Sequence, residues 1–235
     1  MKTKKKFIFT MVFLPAVMLS SIGSGPFGPL TCGPGPTMDV WEATLEEFEN
    51  GAASRNPPKD TGSANSGGII VVELQTPTED DKLDASCFGR IAKVLTDNAN
   101  KKFDIDMRNC EFKNSADTVV PEGVFENCKG QLVGLDLPSQ ITCIGKRAFA
   151  GFTALGEVRI GAQIKEIGDE AYKDCTMWRI VIYYIPNTMG KNVFDGWTDK
   201  QRIYVPFERG SSPPSGWDPD WYAGCNAVIK YKGEY

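Results

Sequence analysis

Two neighbouring stretches decide the fold of this chain: LVGLDLPSQITCIGKRAFAGF (132–152) and LGEVRIGAQIKEIGDEAYKDC (155–175). The second repeats the apolar, glycine and aromatic positions of the first. Aromatic rings extend the same period, with steps of 24, 23 and 22 residues between Phe125, Phe149, Tyr172 and Phe194. A fixed period of this length is typical of repeat proteins, in which each unit buries its apolar face against its neighbours. The sequence therefore predicts a repeat solenoid.

Each unit contains a short run in which apolar residues occupy alternate positions. The first apolar column is Leu135, Val158, Val181 and Ile203, and the second is Leu137, Ile160, Tyr183 and Val205. Alternation with a period of two predicts one short strand per unit, with both columns pointing toward the core. We expect these strands to stack in parallel and to form one curved sheet.

The residues between these columns are predicted to point outward. One outward row is Gly134, Glu157, Ile180 and Arg202, the next is Asp136, Arg159, Ile182 and Tyr204, and Gly161 and Tyr184 extend the face. The apolar members of these rows would form an exposed patch on this face. An exposed apolar patch usually marks a contact with a partner. We predict a partner-binding site made of Ile180, Ile182, Tyr184, Tyr204, Arg159 and Arg202. The alternative is that the C-terminal tail folds back over the patch.

The two quoted stretches resemble the BspA-like, treponemal-type leucine-rich repeat of about 23 residues. The resemblance covers residues 103–206, which we take as the repeat domain, and IYVPFERG (203–210) is similar to the way such arrays end. It implies a leucine-rich repeat solenoid with short parallel strands on one side and an irregular convex side. It also implies a protein ligand, with no enzymatic role.

The same resemblance implies a secreted or bacterial cell-surface protein that adheres to host or microbial macromolecules. A host matrix protein or a bacterial surface protein would then be the ligand. The competing interpretation is an envelope-tethered structural module that docks a partner from the same cell. No motif in the sequence selects the ligand or the oligomeric state.

The N-terminal residues have the pattern of a secretory signal. The apolar run at 7–19 follows four lysines and is shorter than the ~20 residues that a transmembrane helix needs. We predict a signal peptide at 1–23 and no membrane span. Loss of these four lysines would shift the formal net charge from −4 to −8, which argues against nucleic acid as a partner.

Cys32 offers a second end for this signal, as the site of a lipid anchor in an envelope membrane. Pro29, Leu30 and Thr31 precede this cysteine and match the lipoprotein pattern poorly. The alternative is an ordinary secreted chain with a cysteine in its linker.

The segments between the signal and the repeats differ in composition. Residues 24–66 are rich in Gly, Pro and Ser and predict a flexible linker, in which MDVWEATLEEFE (38–49) is interpreted as part of a tail. The alternative is a short amphipathic helix with Val40, Leu45 and Phe48 partly on one side. Residues 67–102 predict an α-helical N-terminal cap, with a strand followed by a helix that begins near Thr78. Such a cap would cover the open apolar end of the first repeat.

Residues 207–235 predict a C-terminal cap strand, because apolar residues alternate with others around Ile229. Trp217, Trp221 and Tyr222 are expected to close the last unit, since aromatic rings bury large areas. A carbohydrate-stacking platform is the alternative interpretation of these rings.

The chain contains no histidine, which excludes Ser-His-Asp and Cys-His nucleophile systems and histidine-ligated metals. Cys128 and Cys175 lie three residues after a ring, at a position that holds Phe152 or Trp197 in other units. We therefore predict that both are buried thiols. The acidic pairs of the sequence are typical of solvated charge and not of a glycosidase site. We predict no enzymatic activity, no cofactor and no metal site.

Overall fold

Short parallel strands dominate the computed structural model, which describes residues 40–55, 68–153 and 155–234. The twelve strands in these ranges are β1 (Val40–Ala43), β2 (Ile69–Leu74), β3 (Lys102–Asp106), β4 (Val119–Val120), β5 (Leu132–Asp136), β6 (Cys143–Ile144), β7 (Glu157–Ile160), β8 (Glu166–Ile167), β9 (Arg179–Ile182), β10 (Thr188–Met189), β11 (Arg202–Tyr204) and β12 (Val228–Lys230). Two α-helices, α1 (Leu45–Gly51) and α2 (Cys87–Asp97), and a 3-10 turn at Ser115–Asp117 complete the described elements. All of them lie in one compact unit, Met38–Tyr235.

The described strands pair into three parallel sheets of four strands each. The longer strands form two sheets, in the orders β1-β2-β3-β5 and β7-β9-β11-β12, and the two-residue strands form a third, β4-β6-β8-β10. The prediction of one curved sheet is therefore wrong. Each unit contributes a second, short strand that ends in an apolar residue, followed by glycine after β6, β8 and β10 and by proline after β4. The pairing of the long strands is interrupted between β5 and β7.

Glycine follows the short strands because successive units approach closely there. A Cβ atom added at Gly168 would lie 2.5 Å from the backbone nitrogen of Lys146. Gly145 and Gly190 meet the backbone of the preceding unit in the same way. The backbone contact excludes any side chain at these positions, which explains the recurring apolar-glycine pair.

The four predicted rings form a continuous stack in the core. Ring centroids are 5.6 Å apart for Phe125 and Phe149, 5.4 Å for Phe149 and Tyr172, and 6.1 Å for Tyr172 and Phe194. In the last two pairs the ring planes are nearly parallel, with interplanar angles of 10°. Each such pair contributes about 0.5–1.5 kcal/mol beyond its buried area. The predicted repeat of one core ring per unit is confirmed.

The position three residues after each ring is a packing position, as predicted. The Cys175 thiol donates to the Phe149 carbonyl at 3.0 Å, and Trp197 Nε1 donates to the Tyr172 carbonyl at 2.7 Å. Cys128 and Cys175 are both free and buried, and burial raises the pKa of each thiol to about 12. Both thiols are therefore protonated at neutral pH and serve the core.

The segment interpreted as a tail at 38–49 is folded from residue 40 onward. β1 pairs in parallel with β2, and α1 begins with a capping box in which Thr44 and Glu47 bond each other's backbone N–H. Leu45 and Phe48 of α1 are buried. The linker interpretation is wrong here because these apolar residues pack into a core formed with residues that are distant in the sequence.

The helix near the N-terminal end begins later than predicted. α2 starts at Cys87, whereas Thr78 closes a turn in which its hydroxyl donates to Asp81 at 2.5 Å. Leu83 intervenes, because its backbone N–H bonds Glu111 and its carbonyl accepts from Lys113, both at 2.8 Å. These strand-like bonds prevent a helix from forming through Leu83.

Candidate functional site

The longer strands present one face to the outside, which we call the outer face. Its first row is Val40, Val71, Asp104, Gly134, Glu157, Arg179, Arg202 and Val228, and its second row is Glu42, Glu73, Asp106, Asp136, Arg159, Val181, Tyr204 and Lys230. Strand pairing fixes both rows within each sheet. Between β5 and β7 the repeat spacing of 23 residues joins Gly134 to Glu157 and Asp136 to Arg159.

The predicted register is wrong by one residue in β9. Ile180 pairs with Val158 and Ile203, so it belongs to an inward column and its side chain is fully buried. Ile182 is fully buried as well, and Val181 takes the outward position between Arg159 and Tyr204. Side chains alternate with a period of two, so a slip of one residue moves every one of them to the opposite face. Ile180 and Ile182 therefore lie in the core.

The other predicted site residues lie at or near the outer face. Arg159 and Arg202 are exposed and Tyr204 is half-buried in the adjacent strand positions. Tyr184, which follows β9, is 58% exposed. The described part of the C-terminal tail, which ends at residue 234, therefore does not fold over this tyrosine. Cys32 lies outside the described residues.

Exposed apolar side chains flank β9 on both sides, and sequence reasoning missed most of them. Trp178 precedes the strand and is 45% exposed, while Tyr183 and Ile185 follow it at 51% and 47%. Tyr183 was assigned to an inward column because of the same one-residue slip. The signal in the sequence is the flanking of a buried apolar strand by Trp178 and Tyr183 in WRIVIYYI.

Glu157 organises the charged groups beside these rings. Its carboxylate accepts from Arg159 Nε at 2.6 Å through one oxygen and from Arg179 Nε through the other. The Arg179 guanidinium lies 4.1 Å from the centroid of the Trp178 ring and 5.9 Å from that of Tyr204. Ion pairs and cation–π contacts thus hold the arginines and rings in defined positions before any partner arrives.

The N-terminal half of the outer face has the opposite charge. Its acidic residues are Glu42, Glu73, Asp104, Asp106 and Asp136. Arg108 contacts this group, with its Nη2 atom 2.5 Å from Asp106 and its Nε atom 3.7 Å from Asp136. We call these five carboxylates the acidic half, and Arg159, Arg179, Arg202 and Lys230 the basic half.

The environment of the acidic half shifts the pKa values of its carboxyl groups in both directions. Burial, together with the neighbouring charges of Asp136 and Asp106, raises the pKa of Asp104. Burial also raises the pKa of Asp136, against the effect of Arg108. For Asp106, hydrogen bonds from Arg108 outweigh burial and hold the pKa below its usual value. The surroundings of Asp104 and Asp136 thus disfavour their charged forms, whereas those of Asp106 favour it.

A second depression lies along the sheet of short strands. This groove of about 500 Å³ is lined by residues that include Cys143, Lys146, Glu166, Thr188, Trp217 and Asp218. Burial and the nearby Glu166 raise the pKa of the Cys143 thiol, so it is protonated at neutral pH and unsuited to act as a nucleophile. Within the described ranges, no group of three or more acidic, cysteine or histidine side chains is arranged to hold a metal ion.

Of the three aromatic residues near the C-terminus, the two tryptophans pack as predicted and do not form a platform. Trp217 and Trp221 are buried, at 5% and 2% exposure, whereas Tyr222 remains exposed. The carbohydrate-stacking alternative is therefore wrong for both tryptophans. β12 pairs in parallel with β11, which confirms the strand expected around Ile229.

Comparison with protein families matches residues 105–209 to the BspA type leucine rich repeat region, in six copies. Residues 105–209 are BspA-type leucine-rich repeats. The stacked rings and short parallel strands are thus the core and backbone of this repeat region. No curated protein and no solved structure matches the chain.

Leucine-rich repeat regions are generally non-enzymatic and support contacts between proteins. BspA-type regions are typically found in surface or secreted proteins. In the described ranges, neither α1 nor α2 is long and apolar enough to cross a membrane. The predicted signal peptide at 1–23 lies outside these ranges.

Proposed function

We propose that this chain is a non-enzymatic, secreted or cell-surface protein whose BspA-type repeat region binds a protein ligand in adhesion to host or microbial macromolecules. In this proposal residues 103–206 are a short solenoid, closed by 67–102 at one end and by 207–235 at the other. The family of the repeats supports the binding role and the location. Protonated thiols at Cys143 and in the core support the absence of catalysis.

One observation carries the proposal: an exposed cluster of rings and arginines around β9. Trp178, Tyr183 and Tyr184 are each about half exposed or more, and Arg179 is held against Trp178. Tryptophan, tyrosine and arginine are the side chains that most often dominate the energy of protein interfaces. Glu157 holds Arg159 and Arg179 in place, and this preorganisation reduces the entropy that binding would otherwise lose.

The charge around this cluster indicates the chemistry of the ligand. Arg159 and Arg202 are exposed next to the rings, and Lys230 continues the basic half. A ligand with an acidic surface and apolar groups therefore fits this end of the outer face. Opposite charge would speed its encounter and select it among other proteins.

A capture experiment with matched variants tests this proposal. The full chain is immobilised and exposed to purified matrix proteins and, separately, to an envelope extract of the producing cell. We expect saturable binding that the double substitution Tyr183→Ser with Tyr184→Ser weakens at least about thirtyfold, because interface tyrosines often contribute 2 kcal/mol or more. Tyr222→Ser removes an equally exposed tyrosine outside β9 and is the control.

The outcome separates the two settings of the protein. Capture from the matrix proteins supports adhesion, whereas capture from the envelope extract alone supports the envelope-tethered module. If the double variant Tyr183→Ser with Tyr184→Ser captures the same proteins with unchanged affinity, the cluster around β9 is not the binding surface.

A further inference from the structure

The two halves of the outer face carry opposite charges in nearly equal number. The acidic half has five carboxylates and the basic half has four cations, and their boundary lies between β5 and β7. Charges of opposite sign accompany each half: Arg108 contacts the acidic half, Lys102 lies on the same face of β3, and Glu157 bonds arginines of the basic half. A surface with this distribution can be complementary to itself.

A two-fold axis makes the complementarity explicit. If the axis runs parallel to the strands and passes between β5 and β7, two copies meet face to face with their stacks reversed. β5 of one copy then lies opposite β7 of the other, β3 opposite β9, β2 opposite β11, and β1 opposite β12. Rotation about this axis keeps each row of the outer face opposite the same row of the second copy.

The side chains that come together in this arrangement have compatible charges. The contacts in the two rows are Asp136 with Arg159, Asp104 with Arg179, Glu42 with Lys230, Glu73 with Tyr204, Asp106 with Val181, Val71 with Arg202, Gly134 with Glu157, and Val40 with Val228. Three contacts join an acid to a base, and no contact in these rows joins two like charges. The other five join a charged or apolar group to a neutral one.

We propose that a second copy of this chain docks on the outer face around this axis, forming a symmetric dimer. The proposal rests on the proposed binding role of the outer face and adds a second copy of the chain as an occupant of that face, which would compete with the ligand for Arg159 and Arg202. A partner of one charge would satisfy only half of the face, whereas a second copy satisfies both halves at once.

Asp104 gives an independent reason for a second copy. Among the described residues, no ion pair includes Asp104, and neighbouring carboxylates of Asp106 and Asp136 act on it unfavourably. In the dimer the guanidinium of Arg179 from the second copy lies opposite this carboxylate. Arg108 of the same chain acts on Asp104 only at a distance, and the second copy thus supplies the ion-pair partner that Asp104 does not have among the described residues.

The size of the face predicts a reversible dimer. Eight strands spaced about 4.8 Å apart and on average about 14 Å long give roughly 550 Å² per copy, or about 1,100 Å² for the pair. An interface of this size is typical of weak or transient complexes. Because the acid-base contacts supply the charge complementarity and occur twice in a symmetric dimer, salt should weaken the dimer at least tenfold.

Sedimentation of the full chain over a range of concentrations tests the dimer, with two reversed variants. In the symmetric dimer, residue 136 of each copy lies opposite residue 159 of the other. Asp136→Arg therefore places two arginines opposite each other at both contacts, and Arg159→Asp places two carboxylates opposite each other at both contacts. We expect each variant alone to dimerise at least tenfold more weakly than the wild type. An equimolar mixture of the two variants restores both acid-base contacts and should dimerise with wild-type affinity.

Matched controls keep this result specific. Lys146→Asp reverses an exposed charge outside the outer face and should leave the dimer unchanged. If a reversed variant fails to fold, as judged by circular dichroism, Glu42→Lys and Lys230→Glu repeat the same mixing experiment at the far end of the face.

Three outcomes overturn the proposal: a wild type that stays monomeric at low salt, a dimer that the reversals do not weaken, or a mixture that fails to dimerise. None of them touches the capture of a ligand by the rings around β9. A monomer that still captures an acidic protein would uphold the proposed function and remove the dimer.

Discussion

Asp104 occupies a position in which its charge has little support. Its side chain packs over Gly134, where no room remains for a Cβ atom, and burial is the main cause of its raised pKa. Asp106, two residues away, receives hydrogen bonds from Arg108 and has a lowered pKa. Two carboxylates on the same strand face therefore contribute to stability with opposite signs.

Substitution of these two residues by asparagine should change the stability of the fold in opposite directions. A raised pKa means that the folded state binds the proton more tightly, so the ionised Asp104 costs stability above its folded pKa. Asp104→Asn should therefore stabilise the monomer at pH 7, and this gain should vanish as the pH falls below the ordinary value of 3.8. Asp106→Asn should destabilise at pH 7, and its loss should shrink as the pH falls.

Urea unfolding between pH 3 and pH 7 measures both effects, at low protein concentration and high salt so that the chain is monomeric. A gain for Asp104→Asn that persists or grows at acid pH would contradict the role of burial. Equal signs for the two variants at pH 7 would contradict the assigned electrostatics of the acidic half.

At the scale of an element, α1 is joined to the rest of the fold through its C-terminal end. The Lys101 ammonium donates to the carbonyls of Ala52, Ala53 and Arg55 at 2.6–2.8 Å. Arg90 of α2 adds a two-point ion pair to Glu49 of α1. Helix ends leave carbonyl groups without partners inside the helix, and a lysine there also complements the helix dipole.

Removal of this lysine should loosen α1. Lys101→Met keeps the length of the side chain but leaves the three carbonyls without their donor, which should cost about 1–3 kcal/mol of unfolding free energy. Lys93→Met removes an exposed ion pair with Asp97 on α2 and should cost less than about 0.5 kcal/mol. Urea unfolding measures the totals, and hydrogen exchange of α1 locates the loss. Equal costs for the two lysines would show that α1 does not depend on Lys101.

Local patterns fixed the repeat register but not the face of every strand. The ring spacing predicted the core stack, because each ring repeats once per unit. In β9 the short step of 22 residues occurs before the strand, between Val158 and Ile180, and not after it. Apolar residues occupy both faces of RIVI, so alternation could not locate the missing residue.

The structure also contains elements whose causes are distant in the chain. Leu45 and Phe48 could not be assigned to a core from residues 38–49 alone, because their partners lie in later segments. The Phe48 ring lies 5.7 Å from that of Phe103. The sheet of short strands was missed because two residues per strand are too few for a pattern of period two.

At the scale of the whole molecule, the packing of the repeats continues beyond the region that matches the family. Trp217 bridges to Met189, and the Val193 N–H bonds the Trp221 carbonyl at 2.8 Å. The Trp221 ring lies 5.9 Å from Phe194 and 5.0 Å from Trp217. Residues after 209 thus cover the last ring of the stack, whose apolar face would otherwise meet water.

Loss of this cover should destabilise the whole described unit, because repeats gain stability from their neighbours. Trp221→Ala removes a buried ring from the end of the stack and should cost about 3–5 kcal/mol of unfolding free energy. Tyr184→Ala removes an exposed ring and should change that free energy by less than about 0.5 kcal/mol. Urea unfolding followed by circular dichroism measures both variants. If Trp221→Ala unfolds at the same urea concentration as the wild type, the residues after 209 do not close the repeat stack.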